Sequence, residues 1–170
     1  MQTFVLSKTF YETARALDTQ RLATQAKEAM MVHRGALPVL HPVHLMWKGS
    51  KPFLAWYGLC ICGELKRRIG RDPEPLKYFL KAKQSFDCVP KWWANDDILF
   101  RVRVCHAANL RMKNDAYYKY LFQDLIPEEY WLQTPCMIKC RPVYWYPVEV
   151  SKSQAPINEL WEHYFEKVGI

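Results

Sequence analysis

The 170-residue chain has no unbroken apolar run of about eighteen residues, the length that a bilayer-spanning helix needs. Its first ten residues, MQTFVLSKTF, lack the charged start and long apolar stretch of a secretory signal. A soluble cytoplasmic protein, off the membrane, is therefore expected, and its six cysteines read as reduced thiols. Cys60-Ile61-Cys62 and Cys136-Met-Ile-Lys-Cys140 lack the two-residue spacing of zinc pairs, and positions 60 and 62 lie about 200° apart on a helix, so no metal is expected. There is no Gly-x-Gly-x-x-Gly, P-loop, helix-hairpin-helix, His-Glu-x-x-His or Gly-x-Ser-x-Gly pattern, so no motif points to nucleotide-phosphate, metalloprotease or serine-hydrolase chemistry. Low-complexity linkers and internal repeats are missing as well.

Half of the residues are apolar, enough for one globular domain with a real core. Lysine and arginine number 24 against 17 acidic residues, a net charge of +7 that favours a polyanionic partner such as nucleic acid. Seven Trp, ten Tyr and eight Phe suit base stacking and core packing equally.

The spacing predicts one long helix over residues 11–34. At about 100° per residue, Leu22, Ala26, Ala29, Met30 and His33 share a core side, while Arg21, Thr24, Gln25 and Glu28 share a polar side. Leu17 and Met31 interrupt the polar side, which implies that other chain or a ligand partly covers it. On periodicity alone, a solvated amphipathic helix accounts for Glu28 better than a catalytic one does. A second helix is expected over 43–68, interrupted near Gly49-Ser50-Lys51-Pro52, where Ser50 can cap and Pro52 fits a first turn. Residues 71–97 read as loop-rich with a short helix over 76–83. Pro90-Lys91-Trp92-Trp93 forms a surface aromatic-basic turn that either wedges into a duplex or caps the core. A third helical stretch spans 97–122, split near Lys113-Asn114-Asp115. Beyond it the Pro- and aromatic-rich segment 126–150 suggests extended chain with a hairpin, and 157–168 a last amphipathic helix.

Four segments in order, MQTF, ARALDTQRLATQAKEAM, HPVHLMWKGSKPFLAWYGLCICGELKRR and CHAANLRMKNDAYYKYLF, resemble the pyrimidine-dimer DNA glycosylase family, the phage endonuclease V type and more closely its bacterial relatives. The resemblance covers about residues 1–122, with a less similar interval at 70–98. It implies a mainly α fold: a compact single-domain bundle of about three main helices with a loop-rich middle. Residues 123–170 are expected to form a C-terminal extension packed on the 1–122 core, with a short β-hairpin.

The resemblance further implies a DNA glycosylase with associated abasic-site lyase activity that excises a damaged or modified pyrimidine from double-stranded DNA. Its nucleophile is the N-terminal α-amine and its catalytic carboxylate is Glu28. An α-amine, with a pKa of about 7.7–8.0, is substantially neutral where a lysine at about 10.4 is not. In the phage enzyme Met is removed to expose Thr, whereas bulky Gln2 hinders removal here, so either Met1 or a processed Gln2 carries the amine. The expected DNA contacts are Arg21, Gln25, Lys27, His44, Arg103, His106, Asn109, Arg111, Lys113, Tyr117 and Lys119. No cofactor is required, a monomer is expected, and action would be at the nucleoid. Two alternatives stay open: the same scaffold acting on a hypermodified base or on RNA, and a non-catalytic nucleic-acid-binding protein.

Overall fold

The computed structural model describes residues 2–131, 133–138 and 141–170, and it is mainly helical. Its contacts group into two compact units, Met1–Ala94 and Asn95–Ile170.

In the first unit, residues 2–6 form neither helix nor strand and are buried throughout, with Thr3 and Val5 fully so. Helix α1 (Phe10–Ala16) begins at Thr9, whose hydroxyl accepts from the Glu12 backbone N–H. The single helix expected over 11–34 is in fact two. Leu17 turns extended and is fully buried, and Asp18 caps a new helix α2 (Thr19–Arg34) by accepting from the Arg21 N–H at 2.7 Å. Burying a leucine contributes roughly 1.5–3 kcal/mol and a good N-cap roughly 1 kcal/mol. Two carbonyls at the break are also satisfied, because Arg68 donates to Leu17 O at 2.6 Å and Arg15 O at 2.9 Å. The apparent misfit of Leu17 on the polar side disappears once the helix stops before it.

Helix α2 ends at Gly35, whose positive φ of 72° forms the left-handed cap. Helices α3 (Pro42–Met46) and α4 (Lys51–Ile69) follow, separated near Gly49-Ser50 as the sequence predicts; Ser50 takes the cap position, but its side chain makes no capping bond. Helix α4 packs on α1, α2 and α5 (Glu74–Lys81). Gly58 permits the approach of α5, since a Cβ there would lie 2.2 Å from the Phe79 ring. Pro90–Trp93 is not a surface wedge. It enters helix α6 (Lys91–Ala94), where Trp92 is buried and donates its indole N–H to Met46 O at 2.7 Å.

In the second unit, helix α7 (Asp96–Lys113) is buried on almost every side from Leu99 to Arg111, which makes it that unit's central element. Asn114 ends it and caps α8 (Asp115–Tyr118), the split expected at this point. Helix α9 (Glu128–Trp131) precedes the short strands β1 (Met137–Ile138) and β2 (Arg141–Pro142), which pair antiparallel. Helix α10 (Ala155–Val168) buries Trp161, Tyr164 and Phe165. Within this unit Glu162 bridges Trp145 Nε1 at 2.7 Å and Arg101 at 2.8 Å.

Candidate active site

Gln25 and Glu28 stand one helical turn apart on α2, so both side chains reach the same neighbour. That neighbour is the N-terminal segment. The Gln2 backbone N–H donates to Glu28 Oε2 at 3.4 Å, and Gln25 Nε2 donates to the same oxygen at 2.8 Å. Gln25 also donates to Gln2 O at 2.7 Å and accepts from the Phe4 N–H at 2.7 Å. From α4, the Tyr57 hydroxyl lies 2.8 Å from Gln25 Oε1 and 2.9 Å from Phe4 O. Trp47 completes the clamp by donating to the Thr3 hydroxyl at 2.8 Å. Residues 2–4 thus cover the polar side of α2 at Gln25 and Glu28, whereas Met31, whose place on that side suggested such a cover, is exposed.

Glu28 is half-buried while Gln25, Tyr57 and Thr3 are fully buried. Burial first, and then the nearby Glu28 carboxylate, holds the Tyr57 hydroxyl well above its ordinary pKa, so it stays a proton donor. Burial pushes Cys60 up to about 11 and Cys62 up to about 12, which keeps both thiols protonated and non-nucleophilic. His41 is lowered by burial, with neighbouring positive charge adding to it.

The expected nucleophile at Met1 lies outside the described residues. Gln2 is buried, and its backbone nitrogen touches Glu28. Arg21 is half-buried and Lys27 exposed on α2. Gln25, expected to contact DNA, is inside. His44 is half-buried, and its Nδ1 has no hydrogen-bond partner among the described residues. It lines a cavity of about 270 Å³ with Val32, Trp47, Lys48, Lys51 and Leu54. Val32 follows Glu28 by one turn of α2, and Trp47 also holds Thr3, so this cavity adjoins the clamp.

In the second unit, Lys113 and Tyr117 are exposed, and Arg103 and Lys119 are half-buried. His106, Asn109 and Arg111 are inside. Asn109 was expected to be a contact rather than a core residue; instead its amide donates to Cys105 O at 3.0 Å and Val143 O at 2.9 Å. Arg111 reaches Asp115 at 3.2 Å and Glu128 at 3.3 Å and lies 3.8 Å from the Trp131 ring centre. Among the described residues no group of three or more His, Cys, Asp or Glu is gathered to hold a metal ion. No described helix is long and apolar enough to cross a membrane.

Sequence reasoning missed Gln25 and Tyr57 as a clamp, although the Gln25–Glu28 spacing was the signal for it. It also missed the His44 cavity, which forms at the Gly49-Ser50 break.

A family model, pyrimidine dimer DNA glycosylase, matches residues 1–77. The resemblance to that family therefore holds over a stretch that contains the whole clamp, Gln2, Gln25, Glu28 and Tyr57. It supports DNA glycosylase activity, and hence an enzyme whose substrate is DNA, as the general function. The comparisons with curated proteins and with solved structures give no match.

Proposed function

We propose that the chain is a DNA glycosylase with associated abasic-site lyase activity, excising a damaged or modified pyrimidine from duplex DNA through its N-terminal amine. The observation that carries this reading is the 3.4 Å contact between the Gln2 nitrogen and the Glu28 carboxylate, inside the residues that match the family. Whether Met1 is kept or removed, the α-amine is either that nitrogen or one residue from it.

The target nucleotide leaves the base stack, because C1′ is otherwise enclosed. The neutral amine attacks C1′; an N–C1′ bond forms as the C1′–base bond breaks, and the base leaves with the electron pair and takes up a proton. The amine loses its proton and the sugar ring opens to an imine. Loss of a C2′ proton then expels the 3′ phosphate oxygen and cuts the strand. Glu28 stabilises the positive sugar and moves the protons of the later steps. Arg21, Lys27 and Lys48 supply positive charge for phosphates around the clamp; in the second unit Lys113 and Lys119 do so, and the Tyr117 hydroxyl offers a hydrogen bond. The enzyme acts as a monomer, at the nucleoid.

The test is a strand-cleavage assay in EDTA on duplexes carrying either a pyrimidine photodimer or an abasic site. Cleavage of both is expected, since none of these steps uses a metal. Loss of cleavage in EDTA, with recovery on adding a divalent cation, would contradict the mechanism.

A further inference from the structure

A buried glutamine costs stability unless each of its polar atoms finds a partner. Gln25 is fully buried and uses all of them. Its two amide hydrogens go to Gln2 O and Glu28 Oε2. Its oxygen receives the Phe4 N–H and faces the Tyr57 hydroxyl at 2.8 Å, whose single hydrogen it shares with Phe4 O at 2.9 Å. A carboxamide has two donor hydrogens and two acceptor lone pairs, so the inventory closes. The orientation is not arbitrary either. Phe4 N–H can only donate and Gln2 C=O can only accept, so the oxygen must face Phe4 and the nitrogen must face Gln2 and Glu28.

One NH2 group therefore holds both the segment that leads to the N-terminus and the carboxylate beside it. Resting on the function proposed above, we infer that Gln25, oriented by Tyr57, is a positioning residue that sets the distance between the N-terminal amine and Glu28. A glutamate at this position would turn an acceptor toward Gln2 O and place a second carboxylate against Glu28. Tyr57→Phe is the gentler change, since it keeps the ring packed and removes only the hydroxyl, which lies against the amide oxygen and Phe4 O.

The experiment is reductive trapping with borohydride on a duplex with a single abasic site. Trapping rates are measured over a range of DNA concentration, with melting temperatures determined alongside, for wild type, Gln25→Glu and Tyr57→Phe. Misplacing a reacting group by about 1 Å costs about a hundredfold, and that loss of maximal rate is expected for Gln25→Glu. For Tyr57→Phe a loss of about tenfold is expected. The DNA concentration giving half-maximal rate should stay within about threefold of wild type in both, because neither residue touches substrate. Should Gln25→Glu fail to fold, Tyr57→Phe decides the matter.

Wild-type protein that traps no adduct overturns the underlying function and this role with it. Wild type that traps, with both folded variants trapping equally fast, overturns only the positioning role. So does a loss that appears in half-saturation instead of maximal rate, or one that vanishes on cooling below the melting transition.

Discussion

Two hydrogen bonds converge on one oxygen of Glu28, from the Gln2 backbone at 3.4 Å and from the Gln25 amide at 2.8 Å. Glu28→Gln keeps the shape but replaces the charge that would stabilise a cationic sugar. Base excision should fall by at least about a hundredfold while duplex affinity changes little; equal losses in both would make Glu28 a binding residue. Asn109 supports a different prediction. With its amide buried and donating to Val143 O, Asn109→Ala leaves that carbonyl unpaired, a cost of about 1–3 kcal/mol. A lower melting temperature with unchanged DNA affinity is expected, and weaker binding at an unchanged melting temperature would place Asn109 at the DNA. Glu28 was singled out through the family resemblance, and it lies within the residues that the family model matches. Gln25 and Asn109 were misread because residue type indicates polarity, not exposure, and a polar side chain can be buried wherever the backbone supplies its partners.

At the scale of elements, α1, α2 and α4 are tied together by Arg68. It donates to two carbonyls at the α1–α2 break and to Glu64 Oε1 at 2.7 Å, while Arg67 makes a paired contact with the same carboxylate. The bonds from Arg67, and after them those from Arg68, hold the buried Glu64 at about 2, below its ordinary 4.5. Because the folded pKa is the lower one, this carboxylate stabilises the fold above about pH 4.5, and the contribution is lost as pH falls toward 2. Glu64→Gln should lower the melting temperature at pH 6, and the gap to wild type should close as pH approaches 2.5. A gap constant across that range would contradict the account. The split inside residues 11–34 was hard to read because the helical period runs through it; Asp18-Thr19 is the cap signal, but what favours the break is a carbonyl-binding arginine fifty residues away. The break before Lys51, in contrast, was legible because Gly49 and Pro52 act locally.

For the whole molecule, a net charge of +7 and exposed lysines in both units imply binding driven by phosphate neutralisation. Duplex affinity should fall steeply from roughly 50 to 200 mM salt, with each neutralised phosphate adding about 0.9 to the log–log slope. Lys27→Ala and Lys113→Ala should each reduce that slope by about one, and slopes unchanged in both would place the DNA surface elsewhere. The last helix could be read from periodicity, and the mainly helical class was what the family resemblance implied. The grouping of contacts into units ending and starting at Ala94 and Asn95 could not, because no composition shift or linker marks that point.

In the mechanism proposed above, the α-amine of Met1, or of Gln2 once exposed, forms the bond to C1′, and the Gln2 nitrogen lies 3.4 Å from Glu28. Mass mapping of the borohydride-trapped adduct after proteolysis tests it most directly. DNA is expected on the N-terminal peptide, at Met1 or at a newly exposed Gln2, with no adduct once the α-amine is blocked. An adduct on an internal lysine, persisting after the α-amine is blocked, would contradict it.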